Sequence, residues 1–395
     1  MHERALDGVK VLDFGQIYNG PYCGLILSYL GADVIRIEPP HGDPLRKRTD
    51  EGEPVPLMLL NSSKKGITLD LKEEEGKELF EELVADADVV VENFRVGTME
   101  RLGLGYDSLS EINPELVYAH GSGYGEHGPY QEYPAMDLTI QAMSGVMDVT
   151  GFPDGPPTKA GIAVADFLGG IHLATGVLAA LYQREHTSEG QFVEVSMFDA
   201  VFPSLTSPLG AHLSGADAPS RTGNRHSALA QCPYNVYAVA DGYVALFCVQ
   251  NSHWHSLLEI LGREDLVRDE RYETNYKRTQ HMDEIDKMIQ TELEDWERDA
   301  LVDELLAAGV PCGPVHEIGE VVEDPHLEER DMIVEIDHPD FGKLPAFGSP
   351  IRLSKSEEPA VEPSPLQGEH TRQVLREELG LDDSEIELLE EKGIL

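Results

Sequence analysis

The sequence predicts an α/β protein with a Rossmann-like, parallel-sheet large domain and a smaller α+β domain. Three observations carry this. Over the first two hundred residues, short apolar runs alternate with helical stretches. A Ser-, Gly-, Pro- and Ala-rich passage then leads into a hairpin and acidic helices. The chain of 395 residues is also longer than one core usually serves.

The apolar run Val9 to Phe14 reads as a strand, Pro21 can open a helix reaching Leu30, and Asp33 to Ile37 is a second strand, which completes a βαβ unit. A helix over Glu73 to Ala85 sets Leu79, Phe80, Leu83 and Val84 against a charged face, and the strand Asp88 to Val91 follows. Leu116 to His120 adds a strand, Met136 to Met147 a helix, Phe167 to about Arg184 a long apolar helix, and Gln191 to Met197 a strand. Residues 1–204 are therefore assigned to the large domain, 205–224 to a linker and 225–310 to the small domain, while 311–395 are a linker and a C-terminal stretch. In the small domain, Asn235 to Ala240 and Tyr243 to Val249 flank Asp241-Gly242, a turn dipeptide that favours a hairpin. Acidic helices run on to about Ala308, with short strands near Ile333 and Ile351 and an acidic tail helix.

Asp and Glu number 73 against 30 Lys and Arg, a formal net charge of -43 spread along the whole chain. At molar salt the Debye length falls to ~3 Å, so such a surface suits a saline cytoplasm, and nucleic acid and anionic membranes are excluded as partners. The four cysteines, Cys23, Cys232, Cys248 and Cys312, form no C-x-x-C pair and read as buried thiols. Met1 to Gly8 has no apolar segment, and no later stretch holds ~18 uncharged apolar residues, so a cytoplasmic protein is expected. No histidine spacing suggests a metal site, and none is expected.

Asp166 directly precedes Phe167-Leu168-Gly169-Gly170 at the head of the apolar helix. One reading makes it an N-cap; the other makes it a nucleophile, since a helix N-terminus favours the carboxylate and the glycines let a large ligand approach. Gly121-Ser122-Gly123-Tyr124-Gly125 lacks the full G-x-G-x-x-G spacing, and Pro129 and Pro134 delay any helix, so it reads as a glycine-rich turn beside a site. Lys64 and Lys65 form a cationic island suited to a phosphate or to a solvated turn. Arg46, Lys47 and Arg48 admit the same two readings, or a carboxylate clamp.

Taken together, several segments resemble the class III CoA-transferases, the family of formyl-CoA and carnitine CoA-transferases: Gly8 to Phe14, Gly20-Pro21, Leu30 to Pro39, Asn61 to Lys72, Val89 to Phe94, Thr150 to Pro157, Asp166 onward and Arg221 to Arg225. The resemblance implies that Asp166 attacks an acyl-CoA to give a mixed anhydride, then an aspartyl-CoA thioester. It places CoA against Tyr18, Leu69, Asp70, Leu71, Lys72, Asn93, Phe94, Arg95 and Arg101 of the large domain. Gln16, Arg46, Arg48, Asp137 and Arg225 become candidates for the acid substrate, expected to be a small dicarboxylate of the succinyl-CoA and mesaconate kind. CoA enters as a substrate, with no permanently bound cofactor. The same resemblance implies a ring-shaped monomer in an interlocked homodimer, and it alone implies that the C-terminal stretch within 311–395 returns to the large domain. Two alternatives share the fold: a silent CoA-binding protein, and an α-methylacyl-CoA racemase. The racemase needs a histidine where this chain has Met136 before Asp137.

Overall fold

The structure, a computed structural model, describes residues 4–48, 55–216, 219–339, 341–357 and 360–395. It divides into two compact units. One comprises residues 1–140, 162–203 and 324–395, and the other residues 141–161 and 204–323.

The first unit is built on six parallel strands, β1 (Lys10–Asp13), β2 (Asp33–Glu38), β3 (Lys65–Thr68), β4 (Val89–Glu92), β5 (Val117–Ser122) and β6 (Gln191–Ser196), in the order β3-β2-β1-β4-β5-β6. Helices cover both faces, which is why the strands read as continuous apolar runs. On one face Leu12, Ile35, Ile67 and Val90 pack with Leu79, Phe80 and Leu83 of the helix Glu74–Ala85 and with Val374, Leu375 and Ile386 from the C-terminal helices Thr371–Leu379 and Asp383–Glu391. On the other, Val11, Val34, Val89 and Val117 meet Leu27 of the helix Asn19–Tyr29 and Leu173, Val177 and Leu181 of the helix Val164–Thr187. That last helix is long and apolar enough to cross a membrane. Here Leu173, Ala174, Val177, Ala180 and Leu181 on one of its faces serve the core of the sheet.

The second unit has a three-stranded antiparallel sheet, β7 (Tyr234–Val239), β8 (Gly242–Phe247) and β9 (Cys312–Pro314). Trp254, Leu257, Ile289, Leu301 and Leu305 of the helices Asn251–Ile260, Met282–Leu293 and Arg298–Ala307 form its core. Cys23, Cys232 and Cys248 are buried free thiols, and Cys312 is half-buried.

Several expectations are corrected. The helix expected over Met136 to Met147 breaks at Gly145, whose φ is 93°, into Asp137–Met143 and Val146–Val149. The Ser/Gly/Pro-rich stretch contains a helix, Thr206–Leu213. No strand forms at Ile351. In the first unit, β10 (Ile333–His338) instead pairs with β11 (Gly342–Phe347), a segment whose Gly, Lys and Pro gave no strand signal.

Candidate active site

The strand order reverses between β1 and β4, and in an open parallel sheet such a switch point leaves a crevice beyond the carboxyl ends of the strands. A cavity of about 660 Å³ lies there, walled by Gln16 and Ile17 after β1, Asn93, Phe94 and Arg95 after β4, Gly121 to Gly123 after β5, and by Arg101, Met136 and Asp166. Two loops of this wall are stapled together. The Asn93 side chain accepts from the Gln16 N–H at 2.8 Å and donates to the Gln16 carbonyl at 3.0 Å. The next residue, Ile17, has φ 63°, a left-handed conformation that costs a β-branched residue roughly 1–3 kcal/mol. Gly121 is required by close approach, since a Cβ there would meet Asn19 Oδ1 at 2.3 Å.

Asp166 is 7% exposed and occupies the first turn of the helix Val164–Thr187. It is the third helical residue rather than the N-cap; Ala163 holds that position and makes no side-chain cap bond. The helix therefore starts three residues before Phe167 and runs to Thr187. Gly169 and Gly170 serve packing rather than ligand approach. A Cβ on the first would lie 2.2 Å from Asn19 Nδ2, and on the second 2.7 Å from the Asn19 carbonyl, so they admit the helix Asn19–Tyr29. Asn19 Nδ2 donates to the Asp166 carbonyl at 3.3 Å, fixing the helix start.

Two opposing fields act on the Asp166 carboxyl. The helix N-terminus favours its anion by about 0.3–1 kcal/mol. Burial opposes that and dominates; with the nearby charge of Asp137 it pushes the carboxyl up to about 7. Asp137 is anchored by accepting the Ala165 N–H at 2.8 Å. A carboxyl whose titration burial has pushed to near neutrality is poorly solvated when ionised, and a poorly solvated carboxylate is a stronger nucleophile.

Of the residues singled out in the sequence, Asp166, Gln16, Asn93, Phe94, Arg95 and Arg101 meet around this cavity. Tyr18 lies off the lining, between the wall residues Ile17 and Asn19, with its ring stacked on Phe167 at 6.2 Å. Leu69, Asp70, Leu71 and Lys72 stand off its wall at the same edge of the sheet, following β3: Leu69 is buried in the core, Asp70 Oδ1 accepts the Lys72 N–H at 3.0 Å, and Lys72 is exposed. Arg46 lies off the wall too, gripping Glu38 with Nη2 at 2.6 Å and Nε at 2.8 Å, while Arg48 is exposed at the end of the short helix Pro44–Arg48. In the second unit Arg225 pairs with Asp283 and Asp286, each at 2.7 Å.

The cationic island is no phosphate site on its first lysine. Lys64 is buried, bonding Asp13 at 2.8 Å, the Pro21 carbonyl at 2.9 Å and Asn61 Oδ1 at 3.0 Å. Lys65 pairs with Asp33 at 2.8 Å. Asn19, Ile17 and a buried group behind Phe94 escaped the sequence reading; the local signal for Asn19 was the set of glycines packed against it, Gly121, Gly169 and Gly170.

Residues 6–371 match the family described as CoA-transferase family III. The chain is 38% identical to formyl-CoA:oxalate CoA-transferase of Streptomyces coelicolor over the full length of both proteins. It is 36% identical to succinyl-CoA:mesaconate CoA-transferase of Haloarcula hispanica, covering 94% of this chain and 96% of that protein. Among solved structures it is similar to a CaiB/BaiF family protein from Brucella suis, with a TM-score of 0.85 and 36% identity over 95% of this chain and 100% of that one.

Proposed function

Because the chain belongs to CoA-transferase family III and is a CoA-transferase, we propose that Asp166 is the covalent relay through which CoA passes from an acyl-CoA to a free acid. The carboxylate attacks the thioester carbonyl and expels CoA thiolate, leaving a mixed anhydride on Asp166. The thiolate then attacks the aspartyl carbonyl of that anhydride, releasing the first acid and forming an aspartyl-CoA thioester. The acceptor acid runs the same two steps in reverse, so the thioester bond energy is conserved. The observation that carries this reading is a nine-tenths-buried carboxyl at a helix start, opening on the cavity at the sheet's switch point.

CoA is placed along the carboxyl edge of the sheet, against Tyr18, Leu69 to Lys72, Asn93 to Arg95 and Arg101. From β3 to β5 this edge spans four strand spacings, ~19 Å, so an extended nucleotide thioester reaches Asp166 from it. Among the described residues no histidine lines the cavity, which favours transfer over racemisation. Short dicarboxylates are the proposed acids: both relatives named above act on acids of that kind, and Gln16, Arg95 and Arg101 give the wall the donors they require. Arg46, with its guanidinium committed to Glu38, is not part of that proposal.

The homodimer is proposed on the exposed face of the helix Val164–Thr187, where Ile171 is 42% and Tyr182 71% exposed among residues of high hydropathy. A saline cytoplasm is proposed from the net charge of -43. The test of function is incubation with succinyl-CoA in molar KCl, followed by hydroxylamine and peptide mass analysis. The proposal expects modification at Asp166, and an unmodified Asp166 with turnover intact overturns it.

A further inference from the structure

Directly behind the cavity wall lies a buried charged group that the chemistry above does not use. Glu92 ends β4 and His120 is its registered partner on β5, so both side chains leave the same face of the sheet. They are 4% and 2% exposed. Together they hold both polar groups of one cavity residue's main chain: Glu92 Oε2 accepts the Phe94 N–H at 2.7 Å, and His120 Nε2 faces the Phe94 carbonyl at 3.1 Å. The other ring nitrogen, Nδ1, faces Glu126 Oε1. Facing an acceptor on each side, the ring has use for two N–H donors, the state only the imidazolium supplies. Burial alone would lower its pKa, but the charge of Glu92 and the bonds to Glu126 and the Phe94 carbonyl raise it to about 9.

The groups that surround this ring are almost all acidic. Glu92 comes from β4 and Glu126 from the turn after β5. Glu194, its registered neighbour on β6, accepts the Glu126 N–H. Glu100 of the helix Thr98–Leu102 acts on Glu92 through space, and the Tyr118 hydroxyl donates to Glu92 at 3.4 Å. His120 is the cation at the centre of this set.

We infer that His120 and Glu92 are positioning residues: they set the main chain at Phe94, and through it the neighbours Asn93 and Arg95, which form the wall against which acyl-CoA binds. The inference rests on the placement of CoA given above. Its physical basis is the stapled geometry. Asn93 ties this segment to Gln16 and the strained Ile17, and Arg95 Nη2 donates to the Glu132 carbonyl at 3.1 Å across the wall. When the ring loses its proton, one of its two bonds must fail and the segment is released on that side. Both loops of the wall then move together, so acyl-CoA binding suffers while the Asp166 carboxyl, on a different element, does not.

The test is the pH dependence of the acyl-CoA KM in molar KCl for the parent, Glu126→Gln and His120→Gln. In the parent KM rises near pH 9. Glu126→Gln removes a carboxylate that holds the proton on the ring, so the rise moves toward neutrality by about one pH unit with kcat at saturation unchanged. In His120→Gln, whose amide can reach one partner but does not titrate, KM is about tenfold higher at pH 7 and the rise is lost. Identical KM profiles for Glu126→Gln and the parent overturn the inference, as does a fall in kcat at unchanged KM. If instead Asp166→Asn turned over normally, the site assignment would fail, and the two failures are thereby told apart.

Discussion

Asp166→Asn replaces a carboxyl that resists ionising with a neutral side chain of the same shape, and its effect on stability follows from the Asp166 environment. An acid that titrates near 3.8 in the unfolded chain and at about 7 in the fold binds more protons when folded between those values. Stability therefore falls as pH rises through that window, and the loss is complete above it. At 1.36 kcal/mol per pH unit, the charge on Asp166 costs the fold about 4 kcal/mol at pH 8 and about 1.5 kcal/mol at pH 5. Asn carries no such cost. The variant is expected to be more stable than the parent, by several degrees in melting temperature at pH 8 and by clearly less at pH 5. Scanning calorimetry of both proteins at the two pH values in molar KCl measures this. An equal gain at both, or a loss at pH 8, refutes the claim that burial is what raises this carboxyl.

Other outcomes follow from the same geometry. Activity at limiting acyl-CoA should climb with pH through about 7 as Asp166 ionises; Asp137→Asn, which keeps an acceptor for the Ala165 N–H, should move that climb to lower pH, and an unmoved profile removes Asp137 from the electrostatics. Lys64→Met strands the buried Asp13 carboxylate and should cost about 3–5 kcal/mol in urea denaturation, whereas a phosphate-binding lysine would alter CoA affinity and leave stability alone. Asn93→Ala should raise the acyl-CoA KM and leave the melting temperature within a few degrees, because it cuts the staple to Gln16 at the cavity wall; unchanged KM would show that the staple is dispensable.

The sheet was legible in the sequence because strands buried on both faces must be apolar along their length, as Val89 to Val91 are. Asp166 was legible as well, since an acid at the head of an apolar helix stands out against its neighbours. What the sequence hid was pairing at a distance. Lys64 and Arg46 look like free cations until the fold brings Asp13 and Glu38 to them. His120 looks like a strand histidine until Glu92 and Glu126 close on it from other segments. Glycines misled in the same way: the spacing of Gly169 and Gly170 reports a close approach but not whether ligand or helix makes it, and here it is Asn19.

The relay itself is tested most directly by the turnover of Asp166→Asn, using a folded variant and an acyl-CoA and acid pair that the parent accepts. Loss of the carboxylate nucleophile is expected to lower kcat by roughly a thousandfold or more, with no aspartyl-CoA mass on the protein. Turnover within a few-fold of the parent would contradict it.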